Sequence, residues 1–345
     1  MTFSIIQSVY RRDNPDFLLQ SLKSIAENTR QPASVILVKD GLLTPELESV
    51  IDDWKSKLPL KVVGYEQNQG LAHALNFGLQ FVETELVARM DSDDICFPDR
   101  FEKQVLQFET NENLAVLGAG IEEFYKNDEM NFRQIRLYPK RTTKKSASLY
   151  KGTPLAHPTV MFRTEVLKKF GYSEKTKCNE DIELWFRVLT AGYEIQTLQV
   201  PLLYFRITDG TFKRRSLSKA FNEFCIYSRA LRRFNGMTNN HLYLLMRLVS
   251  RFIPKSINKK LYLSSARKKM FKENIMKVKS INGQVFMKNG HLFEALLEVE
   301  VDGKRLIKAV QLDAENPSAN NTIEVPLEEV ELYKLKDSAE VLLSL

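Results

Sequence analysis

The sequence predicts an α/β fold with a parallel, doubly wound sheet. Three observations carry that prediction: strand-like and helix-like stretches alternate from the first residues onward, Asn-Pro and Thr-Pro pairs open helical stretches, and polar residues gather where the strands end. The first strand is the run 3–10, ending at Tyr10. Asn14-Pro15 then supplies a cap and a first helical position, and Leu18, Leu19, Leu22 and Ile25 give that helix an apolar face. A second strand, 34–40, ends at Asp40, and Thr44-Pro45 opens a helix with Leu47, Val50, Ile51 and Trp54 on one side. A third strand, 60–65, leads through the turn Asn68-Gln69-Gly70 into a helix carrying Leu71, Leu75, Leu79 and Val82. The fourth strand starts at Leu86 and runs into Asp91. In open parallel sheets ligands bind beyond the carboxyl ends of the strands. Tyr10, Asp40 and Asp91 all fall there, so fold and site are predicted together.

The chemistry concentrates in Arg89-Met90-Asp91-Ser92-Asp93-Asp94, where an apolar strand delivers three carboxylates to one point. Carboxylates a few ångströms apart stay ionised together only when a cation or a donor network compensates them. Mg²⁺ and Mn²⁺ take oxygen ligands octahedrally and complete their shells with phosphate oxygens, which points to a nucleotide site. An acidic surface turn before a helix, with Asp94 or Asp99 as cap or first-turn acid, fits the same residues. A second pair, Glu180-Asp181, opens an amphipathic stretch with Leu184, Trp185, Val188 and Leu189 inward. It reads either as first-turn acids complementing a helix dipole or as a general base aimed at the sheet's ligand edge. His157 stands between the turn Gly152-Thr153-Pro154 and the apolar Val160-Met161-Phe162, as a core histidine at a strand start or as a polar group lining a site. Lys39 reads as solvated and Gln7 as packed.

These segments resemble the GT-A-fold glycosyltransferases of family 2, and among them the bacterial exopolysaccharide, O-antigen and capsule enzymes of the amylovoran type. The resemblance spans roughly residues 1–210 and rests on six pieces in order. They are Ser8-Val9-Tyr10, Val38-Lys39-Asp40-Gly41, the stretch 68–76, the stretch 89–95, the stretch 157–161 and the stretch 179–185. The resemblance implies a GT-A, Rossmann-like catalytic domain whose nucleotide pocket is formed by Ser8, Tyr10 and Asp40, with Tyr10 stacked on the base and Asp40 accepting its hydrogen bonds. Asn68 and Arg89 are implied in holding the donor. Asp91 and Asp93 are implied as the Asp-x-Asp pair, Asp91 toward the ribose and both toward a Mn²⁺ or Mg²⁺ that Asp93 holds on the diphosphate. Asp181 is implied as the catalytic base, with Glu180, His157 and Trp185 on the acceptor side.

The reaction needs such a set. A sugar hydroxyl attacks an anomeric carbon only as a carboxylate takes its proton, and a nucleoside diphosphate leaves only when its developing charge is neutralised. One direct displacement inverts the anomeric centre. The implied activity is transfer of a sugar from a nucleotide-diphosphate sugar, a UDP-sugar, to a lipid-linked or growing bacterial surface polysaccharide. A different nucleotide-sugar donor is one alternative. A nucleotide-binding scaffold of a polysaccharide assembly complex that has lost turnover is another, against which the intact acids argue. A rival motif, Gly118 and Gly120 after an apolar run, places Glu123 where a dinucleotide site needs its third glycine, and an acid there opposes a pyrophosphate. The two glycines read as a close-packed strand end.

With 345 residues and 43% hydrophobic content, the chain holds a full α/β domain and something smaller. Cys96, Cys178 and Cys225 are too few and too scattered for a disulfide framework or a cysteine metal site, and read as reduced thiols. No signal peptide and no apolar stretch of about 18 residues is present, so a cytoplasmic protein without a membrane span is expected. Charge is uneven. From Lys213 to Lys279 there are 18 Lys and Arg against Glu223 and Glu273, a local balance of +16 in a chain of +7. The apolar residues of this segment, such as Phe221, Phe224, Ile226, Tyr227, Leu242, Leu245, Met246 and Val249, fall in helical patterns. Basic amphipathic helices read as elements bound to an anionic membrane surface, or as a helical subdomain packed on the core with its cations solvated. No nucleic-acid module accompanies the charge, so no nucleic-acid partner is expected.

Past about residue 275 apolar and polar residues alternate around Asn282-Gly283, Asn289-Gly290 and Asp302-Gly303, which are hairpin signals. Short runs at 322–325 and 339–343 complete the pattern of a small antiparallel β module. From Ser280 onward six basic residues face twelve acidic ones. Docking on the basic segment, self-association or a partner of the assembly pathway all suit it. The predicted organisation is a GT-A domain over 1–212, a basic helical segment over 213–274 and a β module over 275–345, peripheral on the inner face of a bacterial cytoplasmic membrane.

Overall fold

The alternation predicted for the first quarter of the chain is present, in order. A computed structural model describes residues 1–125, 133–176, 179–208 and 217–250, and five strands between 277 and 334. Strands β1 (Phe3–Val9), β2 (Ser34–Asp40), β3 (Leu60–Tyr65) and β4 (Leu86–Asp91) are separated by helices α1 (Pro15–Ala26), α2 (Pro45–Trp54) and α3 (Leu71–Leu79). The two expected caps form: Asn14 Oδ1 accepts from the backbone N–H of Asp16 at 2.8 Å, and Thr44 Oγ1 from that of Leu47 at 3.4 Å. Leu19, expected on the apolar face of α1, is instead 41% exposed.

Next come β5 (Ile95–Cys96), α4 (Arg100–Thr110), β6 (Val116–Tyr125), β7 (Arg133–Arg136), β8 (Arg141–Thr142), β9 (Met161–Arg163), α5 (Thr164–Phe170), α6 (Glu180–Thr190) and β10 (Ile195–Ile207). The main path of the sheet runs β3-β2-β1-β4-β9-β6-β10-β5. The run β3-β2-β1-β4 is parallel, as is β6 with β10. The sheet departs from fully parallel at β9, three residues long and antiparallel to both β4 and β6, and at β5 and β8, each antiparallel to β10. Gly118 and Gly120 lie inside β6 rather than at a strand end. A Cβ at Gly118 would stand 3.0 Å from Leu155 Cβ, which accounts for a glycine there by close packing and not by a ligand.

The core sits between sheet and helices, where Ile6, Ile36, Val38, Leu75, Phe162, Leu184, Trp185 and Leu189 are all 2% exposed or less. Side chains of this size each contribute about 1.5–3 kcal/mol when fully buried. Two further helices, α7 (Leu217–Asn235) and α8 (His241–Ser250), fall in the basic segment, and Tyr227, Leu231 and Leu244 join the same core. No helix among the described residues is long and apolar enough to cross a membrane.

The chain falls into two units, one of residues 134–136 with 274–345 and one of the remainder. Strands β11 (Lys277–Lys288), β12 (His291–Val301), β13 (Lys304–Gln311), β14 (Thr322–Pro326) and β15 (Tyr333–Lys334) form an antiparallel sheet in the order β14-β13-β12-β11-β15. Pairing reaches Lys288–His291 and Val301–Lys304, on either side of two of the predicted hairpin signals. The third, Asn282-Gly283, does not end a strand: β11 runs through it, with a register shift between Ser280 and Gln284. A glycine inside a strand marks such a bulge as readily as a turn. The run 339–343 lies outside the described residues.

Candidate active site

The parallel register brings the donor-side residues together. Ser8 of β1 stands opposite Asp91 of β4 and Val38 of β2, so the three strands end at one level. Beyond them lies a cleft of about 420 Å³ lined by Ser8, Tyr10, Asp40, Asn68, Asp91 and Asp93, six of the predicted residues, and by Asp13, Ser92 and Arg206. Tyr10 is 38% exposed at the cleft.

Asp40 is buried and already committed. Its Oδ1 accepts from the Tyr65 hydroxyl at 2.9 Å and from the Gln69 N–H at 2.7 Å, and its Oδ2 from Asn68 Nδ2 at 2.8 Å and the Gly70 N–H at 3.0 Å. The carboxylate thus clamps the turn that opens α3, where Gly70 has a φ of 92° that suits glycine. Asn68 acts as a partner of Asp40. Under Asp91, Gln7 Nε2 and Ser21 Oγ donate to its carbonyl oxygen at 3.0 and 3.1 Å, so Gln7 is packed as expected, while Lys39 is ion-paired to Glu48.

Oxygens of Asp91, Asp93 and Asp94 lie within 4.8 Å of one another. Asp94 is 1% exposed and its Oδ2 has no partner among the described residues. Burial, then the charges of Asp93 and Asp91, push its carboxyl well above the ordinary range. Three hard oxygen donors, one of them buried and idle, fit a divalent cation of the Mg²⁺ or Mn²⁺ kind. The helix-capping alternative does not hold, since Asp94 caps nothing and Asp99 precedes α4 without a side-chain cap bond.

Two arginines brace the cluster. Arg89, 4% exposed, pairs through Nη2 with Asp91 Oδ1, while its Nε and Nη1 have no partner. Arg206 of β10 donates from Nε to the Asp93 carbonyl oxygen at 2.8 Å and from its backbone N–H to Asp94 Oδ1 at 2.9 Å. Asp13 ties the loop of Tyr10 to the acid turn: its Oδ2 accepts from the Tyr10 N–H at 3.1 Å and from Ser92 Oγ at 2.9 Å. Burial foremost, then Asp93 and Asp91, raise the Asp13 carboxyl to about 7. Neither Arg206 nor Asp13 was predicted as a site residue. Asp13 directly precedes the Asn14-Pro15 helix start, and Arg206 lies on a strand 113 residues from Asp93.

On the other side, Glu180 and Asp181 are the first two residues of α6, after Asn179 in the left-handed conformation. Asp181 is raised to about 6, by burial first and then by Glu180, while the Ile182 N–H and Arg89 oppose the shift. Arg89 acts on Asp91, Asp94 and Asp181 alike, and so lies electrostatically between the acid cluster and the second pair. His157 is buried, with Nε2 and the Tyr172 hydroxyl 2.9 Å apart, and burial with Arg89 holds it neutral. Trp185, expected on the acceptor side, is instead 1% exposed and stacked on Phe162, so it anchors α6 in the core. Arg89, His157, Glu180, Asp181 and Trp185 do not line the cleft of Asp91 and Asp93.

A mostly parallel sheet, an acid cluster at its carboxyl edge and a second, half-buried acid pair on a following helix define the class, and comparison with known proteins places the chain within it. The glycosyl transferase family 2 model matches residues 4–171. The chain is 36% identical over 273 residues to an uncharacterised glycosyltransferase of Haemophilus influenzae, a match covering 78% of this chain and all of that protein. It is 32% identical to the amylovoran biosynthesis glycosyltransferase AmsE of Erwinia amylovora, over 75% of this chain and 97% of that one. It is 38% identical to the UDP-Gal:alpha-D-GlcNAc-diphosphoundecaprenol beta-1,3-galactosyltransferase of Escherichia coli, over 62% and 77%. The chain belongs to glycosyl transferase family 2 and is a glycosyltransferase of the bacterial polysaccharide type. The fold is shared with S. aureus TarS 1-349 in complex with UDP-GlcNAc, at TM-score 0.51 and 16% identity over 86% of this chain and 97% of that one. It is also shared with a mannosyltransferase of Pyrobaculum calidifontis in complex with GDP-Man and Mn²⁺, at TM-score 0.54 and 15% identity over 79% and 83%.

Proposed function

We propose that this glycosyltransferase is inverting and metal-dependent, and that it moves a sugar from a UDP-sugar to a lipid-diphosphate-linked acceptor of a growing bacterial surface polysaccharide. The observation that carries the reading is two acid groups, both influenced by one buried arginine that pairs with Asp91: Asp91, Asp93 and Asp94 with converging oxygens, and Asp181 with its carboxyl raised to about 6. In this reading Ser8 and Tyr10 hold the nucleotide, with Tyr10 stacked on the base, and Asp40 fixes the Asn68–Gly70 turn against it. Asp91, Asp93 and Asp94 would hold a Mn²⁺ or Mg²⁺, whose chemistry is neutralisation of the leaving diphosphate. Asp181 takes the proton of the attacking acceptor hydroxyl. A base near 6 is mostly ionised at neutral pH, yet basic enough to share a proton in the transition state. Arg89 keeps Asp181 from rising further and offers its idle N–H groups to donor or acceptor oxygens. Glu180 and His157 belong to the acceptor side.

The donor and the acceptor are drawn from relatives. TarS is described with UDP-GlcNAc and the E. coli relative is named for transfer from UDP-Gal to a diphosphoundecaprenol-linked sugar, whereas the Pyrobaculum enzyme holds GDP-Man. An acceptor anchored in lipid places the chain at the inner face of the cytoplasmic membrane, as a peripheral protein held by residues 213–274. The domain organisation proposed is a catalytic domain over 1–212, that basic segment, and a C-terminal module over 275–345 suited to self-association. Calorimetric titration with UDP, GDP, CDP and dTDP, each with Mn²⁺ and with EDTA, tests the reading. Metal-dependent preference for UDP is the expected result. Preference for another nucleotide moves the donor class, and binding that ignores EDTA removes the metal.

A further inference from the structure

The surface formed by α7 and α8 differs from the rest of the described residues. Among those residues ten large apolar side chains are exposed, and seven lie between residues 221 and 249. Leu242, Leu245, Met246 and Val249 stand at i, i+3, i+4 and i+7, one stripe along α8, and are 61%, 47%, 43% and 57% exposed. The opposite side of α8 is anchored: Leu244 is 2% exposed in the core, and Arg247 pairs with Glu223 of α7. The helix is therefore held by one face and bare on the other. Isolated exposed apolar residues are ordinary, but a contiguous stripe marks a surface that meets something.

The charge beside it indicates what. Arg229, Arg232 and Arg233 share one face of α7, are exposed, and have no carboxylate partner among the described residues. Elsewhere Arg30, Lys39, Arg141 and Arg187 are each paired with an acid. Between Lys213 and Lys279 the balance is +16, and of its two acids Glu223 is already taken by Arg247. A second copy of such a surface would be repelled by like charge. A helix pair with unpaired cations on one member and an apolar stripe on the other is instead suited to an anionic lipid interface, with the apolar face at the headgroup–acyl boundary.

We propose that α8, through Leu242, Leu245, Met246 and Val249, inserts into the interface of an anionic bilayer, with Arg229, Arg232 and Arg233 of α7 drawn to the lipid phosphates. The proposal rests on the peripheral-membrane reading above and names the face that performs it. It also joins membrane and catalysis. Tyr227 of α7 meets Phe186 of α6 edge-on at 5.0 Å, and Asn179, just before Glu180 and Asp181, donates from Nδ2 to the Lys219 carbonyl oxygen at 3.3 Å. The helix that carries the base is thus packed on the helices that dock, so an acceptor at headgroup level is presented to Asp181.

Flotation of the full chain with phosphatidylcholine vesicles, with and without phosphatidylglycerol, tests both levels. Two variants are compared, Arg229→Gln/Arg232→Gln/Arg233→Gln and Leu242→Ser/Leu245→Ser/Met246→Ser/Val249→Ser. All these positions are exposed, and unchanged nucleotide affinity in the calorimeter verifies the fold. The expected result is binding only to anionic vesicles, weakened by salt. The arginine variant should bind on the order of a hundredfold less tightly, from about a fivefold loss per cation. The serine variant should lose binding at least about tenfold. If the unaltered chain ignores anionic vesicles, the peripheral reading itself falls. If it binds and the serine variant binds equally well, or if light scattering shows that the serine variant breaks a dimer, the α8 proposal alone is overturned.

Discussion

Around Asp40, the Asp91 carbonyl and Asp13 the polar groups are bonded before any ligand arrives, Gln7 Oε1 excepted, whereas around Arg89 several are not. Asp40 accepts from Tyr65, Asn68, Gln69 and Gly70, the Asp91 carbonyl from Gln7 and Ser21, and Asp13 from Tyr10 and Ser92. Around Arg89, that residue leaves Nε and Nη1 without partners among the described residues, Asp94 leaves Oδ2 idle, and Asp181 is raised to about 6. Leaving a buried donor or charge unbonded costs about 1–3 kcal/mol or more per group. A fold keeps such groups where a ligand completes them. The part around Asp40 is therefore a preformed mould, and the part around Arg89 is a set of charges whose partners, in the proposed function, are substrate and ion.

That contrast breaks first at Asp181. Asp181→Asn should lower kcat by about 10²–10⁴-fold, the range for a lost general base, while UDP affinity in the calorimeter stays within about threefold. Because burial raises this carboxyl, the folded chain keeps a proton that the unfolded chain has released. Stability from this group is thus complete below pH 4 and is lost as pH rises toward 6. The Asn variant escapes that loss, so at pH 7 it should be more stable by on the order of 2 kcal/mol, with the gap closing toward pH 4 in denaturant titrations. Equal loss of binding and turnover would take Asp181 out of the base role. Next in size is Asp93→Asn, which should weaken metal-dependent nucleotide binding at least about tenfold and leave binding in EDTA unchanged. A variant that binds normally with Mn²⁺ would mean that Arg89 and Arg206 alone compensate the acids.

The asymmetry also governs how much was legible in the sequence. The donor mould is made of consecutive strand ends, and alternation with caps at Asn14 and Thr44 is local information. Its residues Ser8, Tyr10, Asp40, Asn68, Asp91 and Asp93 indeed share one cleft. What escaped depends on contacts between distant stretches. Arg206 reaches Asp93 from another strand, and Tyr172 meets His157 from the end of α5. Trp185 was expected on the acceptor side, yet the inward stripe it shares with Leu184, Val188 and Leu189 stacks it on Phe162. The strand β9 is too short for any periodicity to announce it, so the antiparallel break between β4 and β6 was invisible.

A smaller effect sharpens the base side. Glu180→Gln removes the second cause of the raised Asp181 carboxyl and leaves the larger one, burial, along with the opposing Arg89 and the more distant Glu223. In the proposed role Asp181 acts ionised, so the rate should fall as pH drops through about 6 in the unaltered enzyme. In the variant that acid limb should move to lower pH by less than about one unit. A limb that moves upward, or not at all, would place the titrating group elsewhere.

The smallest effect belongs to the mould, and its smallness is the point. Tyr65→Phe removes the hydroxyl that donates to Asp40 Oδ1, while the Gln69 N–H still donates to that same oxygen at 2.7 Å and the ring keeps its edge contact with Phe77 at 5.3 Å. One hydrogen bond of several should cost about 1 kcal/mol of stability. The Asn68–Gly70 turn should keep its shape, so UDP affinity should change less than about threefold. A tenfold loss would show that the clamp on Asp40 has no redundancy. The donor side would then depend on its ligand as much as the base side does, and the difference between the two halves would disappear.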